Sequence, residues 1–126
     1  MITEDYVSFE VAKLLKEKGF NEKCIATYNL TTGTFEIEEI YQDWTNRWKA
    51  YVSAPTLQSA NKWLRKIHKV DIEISIEYMN SKKVYYYSVL KKTIIRDIDC
   101  LHSETNFNSY EEACEAGIRY TLENLI

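Results

Sequence analysis

One segment constrains the fold more than any other, the stretch of residues 53–69 that contains the chain's single proline, Pro55. Proline is favoured at the first turn of a helix, where its missing N–H would have no partner. Apolar residues then recur at spacings of three and four, with Trp63 beside them, and basic residues take the opposite side, which predicts a central amphipathic helix. The apolar stripe comprises Leu57, Ala60, Leu64 and Ile67, and the polar side comprises Gln58, Lys62, Arg65, Lys66 and Lys69.

Two more helices are predicted, one near each end of the chain. Ser8 is suited to cap a helix that runs to about Lys18 and stops at Gly19, a residue that adopts the left-handed conformation freely. Ser109 and Glu112 form a capping-box pattern that begins the last helix. The predicted buried faces comprise Val11, Leu14 and Leu15 in the first helix and Tyr110, Ala113, Cys114, Gly117, Thr121 and Leu125 in the last.

Alternating residues predict two β-hairpins, one on each side of the central helix. The first joins strands 24–30 and 34–40, and the second joins 71–79 to 84–90 through a turn at 80–83. The clearest alternation places Ile72, Ile74, Ile76 and Tyr78 toward the core.

Two segments lack a sustained period and are predicted to be loops. Residues 41–51 are interpreted as an aromatic loop with one helical turn, and 93–108 as a long loop with a short strand at 93–95.

The predicted order is therefore α-β-β-α-β-β-α, an α+β fold. Two hairpins would form a four-stranded antiparallel sheet with the helices packed mainly on one face. With 126 residues, the chain is expected to form a single domain spanning 1–126.

Composition favours a cytoplasmic protein that does not enter a membrane. The acidic N-terminus lacks the pattern of a signal peptide, and no apolar run is long enough for a membrane span. The three cysteines, Cys24, Cys100 and Cys114, are an odd number without zinc-site spacing, so reduced thiols are expected.

Charge divides the chain into an acidic start, a basic middle and an acidic end. Net charge is −5 over residues 1–43, +8 over 44–96 and −6 over 97–126. The basic face of the central helix, with Trp44 and Trp48 upstream, therefore predicts a surface for a protein partner or for nucleic acid. Nucleic acid is the less favoured partner, because the pI is about 5.4 and the acidic ends can neutralise the middle. The surface comprises Lys62, Arg65, Lys66, Lys69, Trp44 and Trp48.

Potential metal ligands gather near the second predicted loop, but no catalytic, cofactor or metal residue is assigned. A small metal-dependent enzyme is a further alternative, opposed by the lack of a second ligand cluster that would complete a site. The candidate ligands are Asp97, Asp99, Cys100, His102 and Glu104. His68, at the end of the central helix, is interpreted as a protonated C-terminal cap.

Three segments, 6–20, 54–65 and 109–125, together resemble a group of small hypothetical proteins from phages, prophages and mobile elements of gut bacteria. That resemblance implies a context, not an activity or a cofactor. We therefore expect a non-enzymatic accessory protein that binds a macromolecule, with a protein as the favoured partner and homodimerisation as one form of that binding.

Overall fold

The computed structural model describes residues 2–44 and 48–126. Within them the chain is an α+β protein with three helices and six strands, and the strands form two three-stranded antiparallel sheets. The residues divide into two compact units, an N-terminal unit of residues 1–60 and a C-terminal unit of residues 61–126. The expectation of a single domain stays a prediction, and each unit is described by itself.

The N-terminal unit begins with helix α1, Phe9–Glu17, whose two ends are those predicted from the sequence. The Ser8 hydroxyl accepts a hydrogen bond from the N–H of Val11 at 3.3 Å. At the other end Gly19 has a φ of 88°, and the N–H of Phe20 donates to the carbonyl of Leu15 at 2.9 Å. This is the Schellman pattern, which explains why glycine ends the helix.

The sheet of the N-terminal unit has the order β2-β1-β3. Strands β1, Cys24–Asn29, and β2, Phe35–Gln42, form the predicted first hairpin. Strand β3, Tyr51–Ser53, pairs with the other side of β1 and was not predicted. The interpretation of residues 41–51 as a loop is thus wrong at both ends. The helical turn predicted within this segment stays a prediction, because Thr45, Asn46 and Arg47 lie outside the described residues.

Helix α2, Leu57–His68, is the predicted central helix. Thr56 caps it, since its hydroxyl accepts from the N–H of Ser59 at 3.1 Å, so Pro55 lies just before the cap. Leu57, Ala60 and Leu64 are buried as predicted, whereas Ile67 is 57% exposed. The prediction for Ile67 is wrong, and the buried stripe takes in Asn61 and Trp63 instead.

The sheet of the C-terminal unit has the order β4-β5-β6. Strands β4, Val70–Met79, and β5, Lys82–Lys91, form the second predicted hairpin. Its turn is Asn80-Ser81, and both residues have positive φ, as a two-residue type I′ turn requires. Strand β6, Asp99–Phe107, occupies most of the segment predicted to be a long loop and pairs with β5.

The predicted four-stranded sheet is therefore wrong. Each hairpin gains a third strand of its own, β3 in one case and β6 in the other, and the two hairpins belong to separate sheets. Alternation in β4 was also over-extended: Ile72 is buried, but Ile76 and Tyr78 are exposed. Burial falls along this long strand toward the turn.

Helix α3, Tyr110–Asn124, packs on the sheet of the C-terminal unit. Ser109 caps it as predicted by accepting from the N–H of Glu112 at 3.1 Å. The Glu112 carboxylate accepts from the N–H of Asn108 at 2.9 Å, one residue before the expected partner. Tyr110 is about half exposed, contrary to prediction, and Ile118 and Leu122 belong to the buried face.

Gly117 brings α3 unusually close to the sheet. A Cβ atom at this position would lie 2.8 Å from Cγ2 of Ile72 and 3.0 Å from Cδ1 of Tyr87. Both side chains are buried, so they have little room to move. The predicted position of Gly117 on the buried face of the last helix is confirmed.

Gly117→Ala is expected to destabilise the protein by about 1–3 kcal/mol, because the added methyl group overpacks a buried contact. Urea denaturation measures the change. Exposed Arg119 on the same helix supplies the control: there the Ala variant should be more stable than the Gly variant by roughly 1 kcal/mol. The same sign at both positions would contradict the close packing at Gly117.

Candidate functional site

The basic stripe of α2 comprises Lys62, Arg65, Lys66 and Lys69, and all four are exposed. Their spacings of three and four residues bring them onto one side of the helix, as predicted. Lys69 follows the helix with a φ of 60°, and its Nζ donates to the carbonyl of Lys66 at 2.9 Å. Among the described residues, no ion pair involves any of the four, so their charge faces solvent.

The two tryptophans assigned to the same surface differ in exposure. Trp44 is only 8% exposed, and its Nε1–H donates to the carbonyl of Cys24 at 2.8 Å. It is a core residue of the N-terminal unit and is not free to stack on a ligand. Trp48 is about half exposed. Both belong to the N-terminal unit, whereas the basic stripe belongs to the C-terminal unit.

An open pocket of about 1060 Å³ lies in the C-terminal unit. It is bounded by the end of α2, the start of β4, the end of β5 and the loop of residues 92–98. We call it the basic pocket, since four of its side chains are cationic and three are anionic. The lining residues are Arg65, Lys69, Asp71, Ile72, Glu73, Leu90, Lys91, Lys92, Thr93, Ile94, Asp97 and Ile98.

The loop of the basic pocket exposes aliphatic side chains beside its charges. Ile94 is fully exposed and Ile98 is 69% exposed, and Ile95 between them is also exposed. Such side chains gain free energy when a ligand removes them from water. The pocket therefore combines an electrostatic attraction for anionic groups with an apolar contact surface, and sequence periodicity offered no signal for it.

His68 lies beside the charged groups of the basic pocket but favours the neutral form. Burial lowers the pKa of its imidazole, and the charge of Lys91 lowers it further. The ring packs edge-on against Trp63 with centroids 4.8 Å apart. Its Nε2 is buried without a hydrogen-bond partner among the described residues. A protonated cap, as interpreted from the sequence, is opposed by both effects.

The candidate metal ligands do not assemble into a metal site. Residues 2–44 and 48–126 contain no group of three or more His, Cys, Asp or Glu side chains that could hold a metal ion. Instead, Glu104 accepts from the hydroxyl of buried Tyr87 at 2.9 Å. His102 stacks on Tyr120 with centroids 3.7 Å apart. His102 and Glu104 thus join β6 to β5 and α3, which is a structural role.

The three cysteines are free thiols, as expected, but only Cys100 is exposed. Burial raises the pKa of Cys24 to about 12, and the nearby carboxylate of Asp43 adds to the shift. Burial likewise raises the pKa of Cys114 to about 11. Thiols with raised pKa values are poor nucleophiles at neutral pH, so neither buried cysteine suits a Cys-His catalytic pair.

No family model, curated protein or solved structure matches this chain. In the part of the chain that the structure describes, no helix is both long enough and apolar enough to cross a membrane. Function is therefore inferred from the residues themselves.

His68 should make stability depend on pH in the acidic range. Because its pKa is lowered in the folded state, the unfolded state binds the proton more readily, and stability falls as pH drops below the ordinary value of about 6.5. Urea denaturation midpoints between about pH 7.5 and pH 5.5 should fall less for His68→Gln than for the wild type. Two results would contradict the assignment of this pH dependence to His68. One is a His68→Gln variant whose stability falls with pH as much as that of the wild type, and the other is a control variant, His102→Gln, in which the fall disappears.

The three thiols should differ in how fast they react with a disulfide reagent, with one fast thiol and two slow ones. At about pH 8 a disulfide reagent such as Ellman's should modify Cys100 quickly in the folded protein, whereas Cys24 and Cys114 should react only after unfolding. Cys100→Ser should abolish the fast phase. A fast phase that persists in that variant would mean that a buried thiol is reactive, contrary to the raised pKa values of Cys24 and Cys114.

Proposed function

We propose that this chain is a non-enzymatic module that binds a protein partner through the basic pocket. The recognised element would be an acidic segment that also carries a large apolar side chain. One observation carries the proposal: exposed Ile94 and Ile98 lie on the same pocket as Arg65, Lys69, Lys91 and Lys92. An origin in a phage or mobile element stays a prediction from the sequence resemblance.

The apolar part of the basic pocket favours a protein over nucleic acid. No aromatic side chain lines the pocket among the described residues, whereas surfaces that bind single strands stack bases on aromatic rings. Asp71, Glu73 and Asp97 also line it, and their carboxylates would repel phosphate groups. A peptide can avoid those carboxylates by placing its own acidic residues opposite the cations only.

Nucleic acid remains the alternative, and it would use the basic stripe on the outer side of α2. Lys62 and Lys66 belong to the stripe but do not line the pocket. Arg65 and Lys69 belong to both surfaces. Variants of Lys62 and Lys66 can still separate the two ligands, because these lysines would contact nucleic acid but not the peptide.

A peptide library displayed on particles and selected on the full-length protein tests the proposal. We expect the enriched peptides to combine Asp or Glu with a large apolar residue. The double variant Arg65→Glu/Lys92→Glu should bind them at least about tenfold more weakly, since two reversed charges remove roughly 1.4 kcal/mol or more. Ile94→Ser/Ile98→Ser should also weaken binding, which fluorescence anisotropy measures.

Two further double variants serve as controls. Lys82→Glu/Lys83→Glu changes net charge equally at the turn end of the β4–β5 hairpin, away from the pocket lining, and should leave peptide affinity within about twofold. If Arg65→Glu/Lys92→Glu and Lys82→Glu/Lys83→Glu lose peptide affinity equally, net charge alone explains the loss and the proposal is contradicted. The nucleic-acid alternative would be favoured by a different result, in which no peptide is enriched and an oligonucleotide binds in a salt-sensitive way. The double variant Lys62→Glu/Lys66→Glu should then abolish the binding of the oligonucleotide.

A further inference from the structure

Strand β2 forms one edge of the sheet of the N-terminal unit, because the order is β2-β1-β3. It has eight residues, and six of them are exposed. An edge strand carries a row of backbone groups with no partner inside its own sheet. The outward-facing backbone groups of β2 are therefore available to pair with another strand.

Hydrogen bonding to β1 identifies the outward groups. The N–H of Asn29 donates to the carbonyl of Thr34 at 2.9 Å, which makes this a hydrogen-bonded pair of the antiparallel ladder. Such pairs recur every second residue, so Glu36 bonds to Thr27, its partner in the register. The N–H and C=O groups of Phe35 and Ile37 therefore point to the open edge.

The side chains of β2 are apolar and acidic in turn. Ile37 is 60% exposed, Ile40 59% and Tyr41 65%, so β2 presents large apolar groups to solvent. Glu36 and Glu39 are exposed between them. Natural edge strands are often protected by lysine or proline, and Phe35–Gln42 contains neither. Its one irregularity is a bulge beyond Ile37, between the partners of Ala26 and Cys24.

In the two registers centred on the middle of β2, charge argues against a second copy of the chain as the partner of this edge. An antiparallel pairing of two β2 strands centred on Ile37 would place Glu36 opposite Glu38 twice. A pairing centred on Glu36 would place the two Glu36 side chains opposite each other. Like charges directly opposite are destabilising in a sheet, so the complementary strand is one that carries cations.

We propose that β2 is a docking edge that accepts an extended segment of a protein partner in which basic residues alternate with apolar ones. The segment would add a fourth strand to the sheet through the outward groups of Phe35 and Ile37. Its cations would lie on the face of Glu36 and Glu38, and its apolar side chains on the face of Phe35 and Ile37, because side chains alternate between the two faces of a strand. This edge belongs to a different unit from the basic pocket, and the inference does not depend on the proposed function.

Binding of synthetic peptides to the full-length protein tests the inference. The probe is a fluorescent peptide of about ten residues, the length of a strand, in which lysine and valine alternate. We expect it to bind at least about tenfold more tightly than the same peptide with glutamate in place of lysine. Methylation of alternate backbone amides in the lysine peptide should abolish binding, because it removes the donors that strand addition needs.

Three variants of β2 examine the backbone, the side chain and the charge separately. Ile37→Pro removes only an outward N–H and keeps the ladder to β1, so it should weaken binding at least about tenfold. Ile37→Thr, which keeps that N–H and a β-branched side chain, should weaken it less. Glu36→Lys/Glu38→Lys should reverse the preference toward the glutamate peptide. This variant still tests the inference if circular dichroism shows that Ile37→Pro does not fold.

Three outcomes would overturn the inference. The first is that the lysine peptide does not bind. The second is that the lysine peptide and its methylated form bind equally, which would mean that charge attraction alone explains the binding. The third is a dimer in analytical ultracentrifugation that Ile37→Pro dissociates, which would make a second copy the occupant of the edge.

Discussion

The close contact between α3 and the sheet at Gly117 is the constraint on which the C-terminal unit depends. With no Cβ at this position, the helix backbone can approach Ile72 and Tyr87 within ordinary packing distance. That approach fixes the middle of β5, the central strand of the sheet, and lets the hydroxyl of Tyr87 reach Glu104 on the edge strand. A larger residue would crowd Ile72 on β4 and Tyr87 on β5, and the dense packing of a protein interior leaves these side chains little room to yield.

Charge in the C-terminal unit is balanced overall but not locally. Residues 61–126 contain ten Lys or Arg and ten Asp or Glu. The basic stripe and the pocket loop carry many of the cations, whereas α3 begins with Glu111 and Glu112 in its first turn, where the helix dipole favours anions. Because salt screens exposed charges over about 10 Å, a ligand at the basic pocket responds to the four cations and three carboxylates that line it more than to the net charge or the low pI.

The elements that the sequence predicted well are those with strong local signals. Ser8 and Gly19 bracket α1, Ser109 opens α3, and alternation marks β4, so each was predicted close to its observed bounds. Strand β3 was missed because three residues cannot display a period. Strand β6 was missed because it is an edge strand whose inward side chains include His102, a polar residue that packs on aromatic rings. Without these two strands, the sheet count was wrong.

The basic stripe could be predicted and the basic pocket could not, for a physical reason. A stripe on one helix is a matter of residue spacing, whereas the pocket is built from four segments whose proximity depends on strand pairing. The same distinction explains Ile67 and Ile76. Periodicity gives the direction in which a side chain points, but burial also requires that a neighbouring element extend far enough to cover it. Large apolar residues that stay exposed are therefore where a partner has most free energy to gain, which holds for Ile37 on β2 and for Ile98 at the pocket.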